Sequence, residues 1–183
     1  MLYCLQIAPT KEAATEGEIV AIVPRELYGS IFHLTRKRWR KYHGSRHIVT
    51  ERMMPGYVFI DSDRIDELYE YLKQVPALTK LLNYRTYDPE GLRDDFAQLD
   101  ASETAWIRHL AMGEGAAAPG MIDISGVELQ EGGKVRVVHG PLVGMEEQIR
   151  RIDLHRGVAY LGVEILGREV DLLVGVEDLE RIR

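Results

Sequence analysis

A proline-glycine pair, Pro55-Gly56, sits where a run of cations gives way to the apolar and aromatic segment Tyr57-Val58-Phe59-Ile60. The pair forces the backbone to change direction, and the segment after it reads as a buried strand. The turn therefore fixes what the preceding segment can reach. Upstream, no acid occurs between Glu26 and Glu51, while Arg36, Lys37, Arg38, Arg40, Lys41 and Arg46 fall together. The sequence is expected to place a charged arm beside an apolar face.

That local charge stands against the rest of the chain. The 183 residues carry a formal net charge of −6, so the body outside the arm is strongly acidic. A basic patch on an acidic body points to a polyanion held at one place, not to general coating of nucleic acid. The length allows one domain or two small ones, each with a real core. Cys4 is the single cysteine, which excludes an intramolecular disulfide and a cysteine-rich zinc site and fits a reducing cytoplasm. Residues 2–8 are apolar but too short to span a bilayer, and Pro9-Thr10-Lys11-Glu12 follows instead of a cleavage site. They read as a first strand, with no membrane partner implied.

Periodicity outlines the remaining elements. Residues 18–23 form a second apolar run ended by Pro24 and are expected to be a strand, leaving room for at most a short helix over 11–17. Residues 31–34 and 47–49 flank the basic run, with a turn signal at Tyr42-His43-Gly44-Ser45, which suggests a two-stranded arm. Asp63 is placed to cap a helix over 64–74. Residues 78–82 read as a strand, and Asp100 with Glu103 predicts a helix whose buried stripe is Trp106, Ile107 and Leu110. Small residues from Met112 to Gly120 suggest a linker. Beyond Val127 come short strands over 134–138, 147–152, 158–166, 169–174 and 179–182, broken at Gly140-Pro141, 153–157, Gly167-Arg168 and Gly175. Five short strands at this spacing predict a small closed β-barrel.

The arm interleaves cations with rings: Arg36, Lys37, Arg38, Trp39, Arg40, Lys41 and Tyr42, joined by Arg46. Guanidinium and ammonium groups suit phosphates, and ring faces suit exposed bases; a solvated charged arm is the plain alternative. His43 and His47 approach metal-ligand spacing but make a poor zinc site. No phosphate loop or activated nucleophile is recognisable, so neither an enzyme nor a cofactor is expected.

The stretch from Val135 through Gly140-Pro141-Leu142-Val143-Gly144 to Ile149-Arg150-Arg151-Ile152-Asp153 resembles the KOW motif. With Met54-Pro55-Gly56-Tyr57 and the linker upstream, nearly the whole chain resembles the NusG family of transcription elongation factors. The resemblance implies an α+β N-terminal NGN domain over 1–112, a four-stranded antiparallel sheet with flanking helices. A linker over 113–126 and an all-β SH3-like KOW barrel over 127–183 would follow. It implies binding to the clamp helices of the RNA polymerase largest subunit through Tyr3, Leu5, Met54, Pro55, Gly56, Tyr57 and Phe59, though core packing also explains their apolar members. It further implies contact of the arm with DNA of the transcription bubble or nascent RNA. Ile165, Leu166 and Gly167 would lie at the edge that meets ribosomal protein S10 or Rho, in a cytoplasmic monomer.

Two departures from the family stand out. The first helix is expected to be shortened or missing, and Glu147 replaces a small residue of the barrel motif. Residues 78–82 and parts of the barrel look most like the LoaP group of specialised antiterminators, which act at selected operons. A housekeeping pausing factor and a ribosome-type structural KOW protein are the alternatives.

Overall fold

The computed structural model describes residues 1–78, 96–113, 118–130 and 135–179. In chain order its elements begin with β1 (Leu2–Gln6), α1 (Glu12–Ile22), β2 (Ile31–Phe32), β3 (Thr35–Tyr42), β4 (Ser45–Arg52), β5 (Tyr57–Asp61) and α2 (Ile65–Leu72). They continue with β6 (Phe96–Gln98), α3 (Ala101–Met112), β7 (Met121–Ile122), β8 (Ser125–Leu129) and β9 (Val135–His139). The last three strands are β10 (Ile149–Asp153), β11 (Val158–Ile165) and β12 (Arg168–Asp178). Two compact units result: Met1–His33 with Met54–Thr104, and Leu34–Met53 with Ala105–Arg183.

The first unit is built on a four-stranded sheet of order β2-β5-β1-β6, antiparallel throughout. The register sets Leu5 opposite Val58 and Tyr3 opposite Ile60. Because side chains alternate along a strand, these four share one face. There they join Ile19 of α1 and Leu68 and Leu72 of α2 in a single buried cluster. Cys4, Gln6, Tyr57 and Phe59 take the opposite face, where Phe59 stacks on Phe32 with ring centroids 5.6 Å apart. Burial of Cys4, helped by the nearby Glu103 carboxylate, pushes its thiol well above the ordinary range and leaves it unreactive.

Three expectations fail in this unit. Residues 18–23 are not a strand but mainly the last turns of α1, and the first helix, expected over 11–17 at most, is present with 11 residues. The core-facing residues are Glu12, Thr15 and Ile19, at helical spacing, while Val20 is 56% exposed. Two polar members of that stripe hide its period. The helix ends at Val23, whose amide still donates to Ile19 O at 2.8 Å before the chain extends into Pro24. Likewise, Asp63 does not cap α2; it lies 3.0 Å from the N-terminal ammonium, and Ser62 Oγ accepts the Arg64 amide instead. By contrast, Asp100 and Glu103 form the reciprocal capping box, with bonds of 2.9 and 2.8 Å. Of the expected helix stripe, Ile107 and Leu110 are buried and Trp106 is half-buried. The strand expected over 78–82 falls, beyond Leu78, outside the described residues.

The second unit contains two sheets, of order β10-β11-β12-β8-β9 and β4-β3-β7. Gly175 does not separate two strands as expected. It lies inside β12, which pairs antiparallel with β11 and then parallel with β8 from Val176 to Asp178. The fifth strand of the barrel sheet is thus β8, which begins within the expected linker; residues 180–182 lie outside the described residues. Glu147 sits in a 3-10 turn at Glu146–Gln148, which avoids the left-handed geometry a glutamate resists.

Gly175 also decides how closely β3 approaches β12. A methyl group there would collide with the Lys37 carbonyl oxygen and come within 3.1 Å of Arg38 Cα, both backbone atoms. Replacing Gly175 by alanine is therefore expected to cost about 1–3 kcal/mol by overpacking. Chemical denaturation of the two proteins measures it, and equal midpoints would refute the close approach.

Candidate functional site

The Pro55-Gly56 turn is organised by a carboxylate from elsewhere in its unit. Glu12, only 1% exposed, accepts the Gly56 amide at 2.7 Å and the Thr10 amide at 3.0 Å through Oε1. Gly56 O in turn accepts the Ile7 amide at 2.8 Å. Gly56 has φ +87°, and a Cβ there would sit 3.1 Å from Ile7 O, so this position favours glycine twice over. Pro55 is left exposed at the turn and Tyr57 half-buried beside it, with Gln6 Nε2 donating to the Tyr57 hydroxyl at 3.2 Å.

The seven apolar and turn positions singled out in the sequence do not form one surface. Tyr3 and Leu5 point into the helix-packed core, whereas Tyr57 and Phe59 occupy the other face. Met54 and Phe59 are buried at 6% and 0% exposure. On β1 the residues sharing a face with Tyr57 are Cys4 and Gln6, one position out of step with the expected pair. Gln6, polar in an otherwise apolar strand, is the sequence signal that could have set the phase.

The basic arm is an eight-residue by eight-residue hairpin closed by His43-Gly44, both with positive φ, as a type I′ turn requires. Alternation sorts its cations. Arg36, Arg38 and Arg40 share a face with Glu51 of β4, and all three bind that one carboxylate, with Arg38 Nε at 2.6 Å and Arg40 at 2.9 Å. These contacts, the Arg38 hydrogen bond foremost, hold the Glu51 carboxyl below its usual range despite its partial burial. Arg36 is the most buried of the three; desolvation lowers its guanidinium, and it also donates to Leu173 O at 3.1 Å.

The other face carries Lys37, Trp39, Lys41 and Arg46. Lys37 pairs with Asp123 at 2.9 Å and Trp39 Nε1 donates to Glu177 at 3.3 Å, so the strand's base is tied to the rest of its unit. Arg46 lies over the Trp39 ring at 5.4 Å. Among the described residues no ion pair neutralises Lys41 or Arg46, and Tyr42 is 68% exposed. The unpaired charge therefore collects at the tip, in Lys41 and Arg46, beside an Arg40 that pairs with Glu51 but keeps its side chain 58% exposed, and not along the whole run.

In the barrel sheet, Leu166-Gly167 closes the β11–β12 hairpin with φ +51° and +67°. Ile165 is buried, leaving Leu166 and Gly167 as the accessible part of the expected partner edge. Among the described residues no group of three His, Cys, Asp or Glu side chains could hold a metal, and no helix is long and apolar enough to cross a membrane.

A family model described as transcription termination factor nusG matches residues 2–100. The transcription termination/antitermination protein NusG of Streptomyces griseus is 26% identical over 144 residues, covering 76% of this chain and 48% of that protein. Its namesake from Thermus thermophilus is 28% identical over 131 residues, or 69% of this chain and 65% of that protein. The chain thus spans about half the length of the first relative. A solved structure of Thermotoga maritima NusG, concerned with its domain interaction, matches with a TM-score of 0.52 over 95% of this chain and 92% of that one, at 22% identity. The fold is accordingly an α+β N-terminal domain followed by an all-β, SH3-like one.

Glu12→Ala should leave the buried Gly56 amide and the partly buried Thr10 amide without their acceptor and lower stability by about 1–3 kcal/mol, read by urea denaturation; a loss under about 0.5 kcal/mol would contradict the bracing of the turn. For Glu51, whose folded carboxyl is held low, stabilisation is present above the ordinary carboxylate range and lost as pH falls through the lowered value. The melting-temperature gap between the parent and Glu51→Gln should therefore be widest at neutral pH and close on acidification. A gap independent of pH would remove the three-arginine contact as its source.

Proposed function

The chain belongs to the NusG family, and from that premise we propose that it is a transcription factor that binds RNA polymerase and promotes processive elongation and antitermination. The observation that carries this reading is the division of labour in the chain. A glycine turn braced by Glu12 presents Pro55 and Tyr57, while the hairpin preceding it gathers unneutralised cations and an exposed ring at its tip.

On this reading the rim formed by Gln6, Pro55 and Tyr57 meets the clamp helices of the polymerase largest subunit. A proline and a half-buried tyrosine suit such a contact: both are already ordered, so little side-chain freedom is lost on binding. The hairpin tip holds DNA of the transcription bubble or nascent RNA through phosphates, and binding is salt-dependent for that reason. Leu166 and Gly167 form the edge offered to ribosomal protein S10 or Rho. Holding polymerase and nucleic acid together disfavours release, and this requires no catalysis by the protein itself.

Service at selected operons, as in the LoaP group, is the narrower form of the proposal. Its support is the likeness of residues 78–82 and of parts of the barrel to that group.

The test replaces exposed rim residues rather than buried ones. Pro55→Ala with Tyr57→Ala should weaken binding to core polymerase by about tenfold or more, equivalent to about 1.4 kcal/mol. Biolayer interferometry reads the affinity, and thermal melts check that the variant is folded. Unchanged affinity would sink the rim as the polymerase contact.

A further inference from the structure

We infer that a cleft between the hairpin tip and the loop joining β10 to β11 binds the phosphodiester backbone of a single-stranded nucleic acid, with His155 and Arg156 forming its second wall. This rests on the reading of the hairpin as a nucleic-acid contact and extends it to residues of the barrel sheet. The cleft has a volume of about 740 Å³ and lies wholly within the second unit. Arg38, Arg40, Lys41 and Arg46 line the hairpin side and His155 and Arg156 the other; every ionisable group lining it is basic, and of these Arg38 and Arg40 also share the Glu51 carboxylate.

The loop is built to leave that charge free. Asp153 Oδ1 accepts the Arg156 backbone amide at 2.9 Å, which shapes the turn. The Arg156 guanidinium lies 3.8 Å from the same carboxylate with its side chain 68% exposed, a pairing that water largely screens. Gly157 lies where the loop meets the hairpin. It has φ +67°, and a Cβ there would sit 3.1 Å from Val176 O, with the Arg46 guanidinium at 3.5 Å and Trp39 Cβ at 3.6 Å. The loop and the hairpin are thus in contact, and Arg46 lies over the Trp39 ring before any ligand arrives.

Size and chemistry select the ligand. A volume in the range of small-molecule pockets admits a nucleotide or two of one strand but not a double helix. Cations on both walls match a chain of phosphates running between them, and the exposed Tyr42 ring at the hairpin tip offers a stacking face for an unpaired base.

Fluorescence anisotropy on the full chain tests this, with labelled single-stranded DNA, single-stranded RNA and duplex of about 12 nucleotides, a length one small module covers. Salt is varied between about 50 and 200 mM. Single strands should bind more tightly than duplex. Arg156→Gln combined with His155→Ala should weaken binding by at least about threefold and reduce the log–log salt slope by about 0.7 for each phosphate no longer neutralised. Arg136→Gln, an exposed cation of β9 outside the cleft, should change neither.

Loss on Arg40→Gln with Lys41→Gln but not on the loop double variant would overturn the cleft while leaving the hairpin reading intact. Indifference to both pairs would overturn the two together. Preference for duplex, or an equal loss on Arg136→Gln, would also overturn the proposal.

Discussion

One buried carboxylate holds together the turn and loop of the N-terminal unit that carry the proposed polymerase rim. Glu12 sits at the start of α1, where helix amides already favour an anion, and its Oε1 accepts amides from two loops far apart in sequence. The Gly56 amide is buried and needs an acceptor, and the same oxygen also serves the partly buried amide of Thr10. The position of Pro55 and Tyr57 therefore depends on a residue more than forty positions earlier in the chain.

This dependence explains why the fold is more legible in the sequence than the surface it carries. Strands β1 and β5, the hairpin with its His43-Gly44 turn, and the capping box at Asp100 can be read because each signal is local. A polar residue inside an apolar run, a glycine at a turn, or an acid three residues after a cap reports its neighbours directly. The first helix escapes that reading because Glu12 and Thr15 occupy its buried stripe, and an apolar pattern cannot reveal polar residues that are buried for their hydrogen bonds. The barrel's fifth strand is displaced for a related reason: β8 follows residues rich in glycine and small side chains, and its parallel partner lies at the far end of β12. Which face Tyr3 or Tyr57 takes is a matter of phase, and a one-residue slip exchanges the faces completely.

The hairpin shows a second limit of composition. Six cations without an intervening acid look like a uniform basic arm, yet the acid that ends the run, Glu51, folds back across the ladder against three arginines. Lys37 meets Asp123 from a distant part of the chain. Counting charges in sequence overstates what is free to meet a polyanion; pairing register determines how much remains. The loop residues His155 and Arg156 carry no sequence signal of their own, because only the tertiary arrangement brings them to the same cleft as the hairpin.

Strand β12 serves two neighbours in succession, and this has a consequence for the order of assembly. Its first part pairs with β11 across the two-residue Leu166-Gly167 loop, so that ladder closes with little loss of chain freedom. Its last three residues pair with β8, which lies about fifty residues earlier, and closing that loop carries a larger entropic cost. The β11–β12 hairpin can therefore form early as an autonomous nucleus, while the parallel seam that completes the sheet must wait for chain segments made long before it. Synthesis from the N-terminus does not hasten this step, since β8 has no partner on β12 until the final strand has emerged.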